Sequence, residues 1–191
     1  MREDSPADFD KKKEVYVSVG AYLIHKYNIP SALWVNTDET NALFVTRARR
    51  TRSRKGKKRI RLIGVGKEKA QITCTLAVAG DGEVLPYQLI FGGKTNRCHP
   101  TSGDVVDGSI LTHTQSHWQD VDTYLHLIET VFVPWKNERI KSLGLAPDQW
   151  TLLKHDLHYT HKDPRVIALL KTHNIAPLFV PAGCTDIIQE C

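Results

Sequence analysis

Cysteine is scarce and unpatterned in this chain. Cys74, Cys98, Cys184 and Cys191 form no CxxC pair, so neither a zinc cage nor a disulfide framework follows from their spacing, and a reducing compartment is expected. No apolar run approaches the roughly 20 residues that a membrane span needs. The first 13 residues are charged, which excludes a signal peptide. Glycine-rich phosphate loops are also missing, because Gly64-Val65-Gly66 lacks the third glycine of a dinucleotide fingerprint. One stretch lacks acidic residues altogether. Between Arg47 and Arg61 stand ten bases and no acid: Arg47, Arg49, Arg50, Arg52, Arg54, Lys55, Lys57, Lys58, Arg59 and Arg61. Subtracting those ten from the net charge of +5 leaves −5 for the remainder. Such a polycation suits a phosphate backbone or a nuclear-import receptor.

What is present suits a globular domain with a substantial core, since 41% of the 191 residues are hydrophobic. Residues 1–28 read as a charged tail and helix, with Val15, Val19, Tyr22, Leu23 and Lys26 at near-helical spacing over Glu14–Tyr27. Ile29-Pro30 breaks that helix. Leu33–Asp38 and Arg59–Val65 read as strands. Gln71–Ala79 and Leu85–Phe91 flank Gly80-Asp81-Gly82 as a hairpin. In its first arm Ile72, Cys74, Leu76 and Val78 alternate with Thr73, Thr75 and Ala77, which predicts one strongly apolar face. Pro86 belongs at a strand start or edge. Residues 92–114 read as a loop. Ser116 and Gln119 form a capping-box pattern opening a helix whose core stripe is Trp118, Val121, Leu125, Ile128 and Phe132. Pro134 is expected to end or kink it, with a shorter helix over Trp135–Leu143. Trp150–Asp156 is a buried strand, Asp163-Pro164 opens a helix to about His173, and Ile175–Val180 is a last strand.

Two apolar runs deliver an aspartate. Asp38 closes Leu33–Asp38 and is followed by Glu39; Asp156 closes Trp150–Asp156 and is followed by His161. An unpaired carboxylate at a buried strand end is costly, so each needs hydrogen bonds, a base or a metal. Hard cations take oxygen ligands, and two of them about 4 Å apart can drive phosphodiester cleavage. The pair therefore points to a two-metal site for Mg²⁺ or Mn²⁺. A third acid would complete it, and Asp186 and Glu190 are candidates. The evenly spaced His155, His158 and His161 are not expected to converge on zinc.

The run Ile29-Pro30 … Val35-Asn36-Thr37-Asp38-Glu39-Thr40 resembles the first catalytic block of DDE-type transposases of the pogo/Tigger group, related to centromere protein B and jerky. Residues 69–95, with Ile72-Thr73, Asp81-Gly82, Leu85-Pro86 and Ile90-Phe91-Gly92-Gly93-Lys94-Thr95, are similar to that group's central hairpin. Leu152-Leu153 … Asp156 … His161 resembles the second block, and Val180-Pro181-Ala182-Gly183-Cys184-Thr185 … Gln189 the approach to the third acid. The resemblance implies an α/β, ribonuclease H-like domain over 29–191: three antiparallel strands, then parallel additions, flanked by helices. It implies Asp38 and Asp156 as catalytic, metal-binding acids, with Glu39, His161 and Glu190 in support. The third acid would fall near position 192, so a catalytic domain incomplete at its C-terminus, with weak activity or none, is expected. The implied partner is DNA, in the nucleus, with a homodimer compatible and no membrane. The function expected is that of a two-metal endonuclease or transposase core. A non-catalytic nucleic-acid-binding derivative is the alternative, and an unrelated phosphoesterase drawing on Asp104 or Asp107 is a third reading.

Overall fold

The computed structural model describes residues 8–43, 71–100 and 108–184. The expected strand at 59–65, the basic run, and Asp104, Asp107, Asp186 and Glu190 lie outside the described residues. Helix α1 (Phe9–Tyr27) leads into β1 (Trp34–Leu43), β2 (Gln71–Ala79), β3 (Gln88–Gly92) and β4 (Ile110–Thr114). Helix α2 (Val121–Leu127), a π turn (Ile128–Phe132) and α3 (Val133–Ser142) follow. The chain closes with β5 (Thr151–Asp156), α4 (Pro164–Thr172) and β6 (Ile175–Val180). Among the described residues no helix is long and apolar enough to cross a membrane.

The six strands form one mixed sheet in the order β4-β3-β2-β1-β5-β6. β1, β2 and β3 pair antiparallel. β5 joins β1 in parallel and β6 joins β5 in parallel. The expected architecture of antiparallel strands followed by parallel additions is present. β4, read from sequence as loop, is a further parallel strand beside β3. Its pattern gave no signal because it is a short edge strand, half-exposed along four of its five residues.

Side chains from α2, the π turn and α4 pack on one face of the sheet, where Val35, Ala77, Ala79 and Leu153 meet Tyr124, Leu127, Ile128, Val166 and Leu170. Burying each Leu or Ile there contributes roughly 1.5–3 kcal/mol. On the other face Tyr16 of α1, with Ile29 and Leu33, packs over Leu152, Ala176 and Leu178.

That arrangement reverses the expected burial of β2. Thr73, Thr75, Ala77 and Ala79 are buried, whereas Ile72, Cys74, Leu76 and Val78 are only half-buried. The helices lie on the small-residue side, where short side chains let them approach closely, and α1 packs on the opposite side against β6, with Leu152 of β5 in the same cluster.

Two helix expectations also change. The α2 N-cap is Asp120, in a reciprocal capping box with Thr123, so Ser116 and Gln119 do not open the helix. The core stripe therefore turns to Tyr124, Leu127, Ile128, Val131 and Phe132, and Trp118 is exposed. Pro134 does not end the helix outright, although the shorter helix expected over Trp135–Leu143 is present as α3. The turn before it widens to π geometry, and α3 continues with the proline in its first turn, where a missing N–H costs little.

Candidate active site

β1 does not end at Asp38. It runs on to Leu43, because antiparallel β2 pairs with it as far as Leu43 opposite Gln71. The parallel ladder with β5 stops earlier, at Asn36 opposite Lys154. Continuing that register by two residues sets Asp38 level with Asp156, just beyond the last paired position. The two aspartates thus stand side by side on adjacent parallel strands where those strands cease to be bonded. Crevices at the carboxyl ends of such strands are where open α/β sheets bind ligands.

Each carboxylate is anchored through one oxygen. Asp38 Oδ1 accepts from the Glu39 N–H at 2.9 Å. Asp156 Oδ1 accepts from the His158 N–H at 3.2 Å and meets His161 Nδ1 at 2.8 Å. His161 sits between two acids, with Nε2 at 3.4 Å from Glu39 Oε1. The same Nε2 lies 3.3 Å from Gln119 Oε1, and Gln119 Nε2 donates to Thr75 Oγ1 at 3.0 Å. Released from capping, Gln119 thus ties His161 to the buried face of β2.

Behind His161 lies an aromatic stack. Its ring is 4.4 Å from that of Tyr124 and 4.7 Å from that of His155. His155 is fully buried, 4.6 Å from Phe179, with Nδ1 at 3.1 Å from the Tyr124 hydroxyl. His155, His158 and His161 therefore do cluster as rings, but no three of their ligand atoms, alone or with the neighbouring acids, converge. Gln119, Thr75 and Tyr124 carried no sequence signal for this role, since their partners are more than 30 positions away.

Burial raises the Asp38 carboxyl above its ordinary value, opposed by the Glu39 N–H and reinforced by the charges of Asp156 and Glu39. Burial pushes Asp156 the same way, yet its hydrogen bond and charge contact with His161 win and hold it low. Burial alone would lower His161, but Asp156 and Glu39 lift it to about 9, so the ring is an imidazolium at neutral pH. His155 is driven well down, by burial first and by His161 second, and stays neutral. Positive charge is thus supplied at Asp156 and is short at Asp38. A pair of hard oxygen donors with a charge deficit at one of them fits a divalent cation.

No family model matches the chain. It is 25% identical over 184 residues to a human protein described as "Pogo transposable element with ZNF domain" and 24% identical over 184 residues to the human "Pogo transposable element with KRAB domain". Both alignments cover 96% of this chain, but only 12% and 28% of the respective relatives. The fold matches the Mos1 transposase catalytic domain, solved with raltegravir and magnesium. The TM-score is 0.55 at 11% identity, over 92% of this chain and 63% of that one. A pre-cleavage Mos1 transpososome gives a TM-score of 0.55 at 13% identity, over 92% of this chain and 43% of that one. A Mos1 paired-end complex with manganese gives 0.51 at 14% identity, over 95% and 44%.

Proposed function

We propose that this chain, a pogo-like DDE-type transposase domain with the ribonuclease H-like fold of the Mos1 catalytic domain, acts on DNA. The observation that carries the reading is the level placement of Asp38 and Asp156 at the point where β1 and β5 part. A divalent cation held by these two carboxylates would neutralise the scissile phosphate and polarise its oxygen. Mg²⁺ or Mn²⁺ suits such oxygen donors, and Mos1 structures are described with each. His161 fixes the Asp156 carboxylate, and Gln119 with Glu39 fixes His161. The basic run Arg47–Arg61 supplies phosphate contacts and a nuclear-import signal.

A second reading has its own support. The His161 imidazolium already pairs with Asp156 and lies beside Glu39, offsetting one of their two charges, which suits a domain that binds DNA without cutting it. The two separate in a nicking assay on supercoiled DNA with Mn²⁺, run alongside a retention assay. The catalytic reading expects nicking by the wild-type chain that disappears in Asp38→Asn and Asp156→Asn while DNA retention persists. Retention without metal-dependent nicking in any variant selects the binding reading. Absence of DNA retention sinks both.

A further inference from the structure

A second group of metal-ligating side chains lies three strands away from Asp38, at the β4 edge of the sheet. We infer that Cys98, His99 and His113 form a zinc site that clips the turn after β3 to β4. Their three ligand atoms lie within 4.8 Å of one another. Strand spacing alone places β4 roughly 14 Å from β1, so this site is distinct from the aspartate pair and does not rest on how that pair is read.

The backbone brings the three together for local reasons. Cys98 closes a 3₁₀ turn over Asn96–Cys98, in which the Cys98 N–H donates to Thr95 O at 3.1 Å and the His99 N–H to Asn96 O at 3.0 Å. His99 precedes Pro100, which holds it extended at ψ 150°. His113 comes from β4 opposite Phe91. Gly93 allows the close approach: a Cβ there would stand 2.7 Å from Cys98 Cβ and 2.8 Å from its Sγ. Its N–H in turn bonds Thr114 O at 2.8 Å, beside His113.

The histidine rings are also placed for a shared ligand. His99 and His113 meet edge to face at 5.3 Å, and the Phe91 ring lies 5.5 Å from His99. His99 Nε2 is buried and has no hydrogen-bond partner among the described residues. A buried ring nitrogen left unbonded is costly, and a metal ion bound through Nε2 would satisfy it.

The donor set selects the ion. One thiolate and two imidazoles are soft-to-borderline ligands, suited to Zn²⁺ and poor for Mg²⁺. Zn–N near 2.0 Å and Zn–S near 2.3 Å put the three tetrahedral donors about 3.3–3.5 Å apart. Contraction by about an ångström closes the present spacing on the ion, with water in the fourth position. Binding takes the Cys98 thiolate and releases its proton to solvent. The clip would tie the turn after β3 to an edge strand that few side chains otherwise cover.

The test is Co²⁺ titration of the metal-free, reduced full-length chain in excess Mg²⁺, which occupies carboxylate sites. Visible tetrahedral bands and a thiolate-to-cobalt charge-transfer band should saturate at one equivalent, and Zn²⁺ should displace the cobalt and raise Tm. Cys98→Ser should abolish the charge-transfer band, and Cys74→Ser should keep it. His99→Gln and His113→Gln should each weaken binding by more than the roughly 10–100-fold that loss of an outer-shell partner costs. Circular dichroism of the metal-free variants checks that they fold. No thiolate band in the wild type, a band that survives Cys98→Ser, or undiminished affinity in the folded histidine variants would each overturn the assignment.

Discussion

His161 concentrates the electrostatics of the aspartate pair in one side chain, and pH tests that directly. Its folded-state value is lifted from 6.5 to about 9. Its stabilising contribution is therefore complete below about pH 6.5 and disappears as pH rises through about 9. Asp156 runs the other way. Its carboxyl is held below 3.8, so its contribution is present above that value and is lost as pH falls through the depressed one. Thermal melts in chelating buffer should peak near pH 6.5, declining on the alkaline side as His161 loses its proton and on the acid side because His155, held neutral by burial, takes its proton only on unfolding. Asp156→Asn removes the partner at 2.8 Å and should shrink the alkaline decline, with the His161 imidazole titrating nearer 6.5 by NMR. An unchanged titration in that variant would mean that the ion pair does not hold the proton on His161.

At the scale of elements, the hairpin turn is docked rather than free. The Gly80 N–H donates to Trp34 O at 2.7 Å, and a Cβ at Gly80 would stand 2.5 Å from the backbone oxygen of Ser31. A backbone oxygen cannot swing aside, so Gly80→Ala should cost about 1–3 kcal/mol. A melting experiment should read this as a drop of about 2–4 °C per kcal/mol, and an unshifted midpoint would remove the contact. Such docking also marks where sequence stops being informative. The two arms of the hairpin, α4 with its Asp163 cap and the β5 and β6 strands were legible because their signals are local: turn glycines, a capping acid before a proline, short apolar runs. The buried face of β2 was not, because alternation cannot say which side the helices choose. β4 has too few residues and too little burial for its pattern to rise above the loop around it. The capping box at Ser116 was displaced by a better one four residues on, and that displacement made Gln119 part of the site. Asp38 and Asp156 were found as strand-delivered acids, but their level register depends on a parallel pairing that no local pattern encodes.

Across the whole molecule, charge and chain connectivity tie the aspartate pair to the run proposed to contact DNA. Asp38 and Arg47 are nine residues apart, a span of at most about 30 Å even when fully extended. Any phosphate held by the first bases of the run is therefore within one or two helical turns of DNA from the aspartates. The remainder of the chain carries −5 against the ten cations of the run, so the run must supply most of the attraction for a polyanion. Binding should then follow counterion release, with log affinity falling linearly in log salt by about 0.9 per phosphate neutralised. Replacing Arg49, Arg50, Arg52 and Arg54 with Ala should flatten that slope by up to about 0.9 per residue and weaken all DNA sequences alike. Asp38→Asn, which removes a charge outside the run, should leave the slope nearly as it was. Anisotropy titrations at several salt concentrations measure both. A slope indifferent to the four arginines would transfer the DNA contact to residues outside the run.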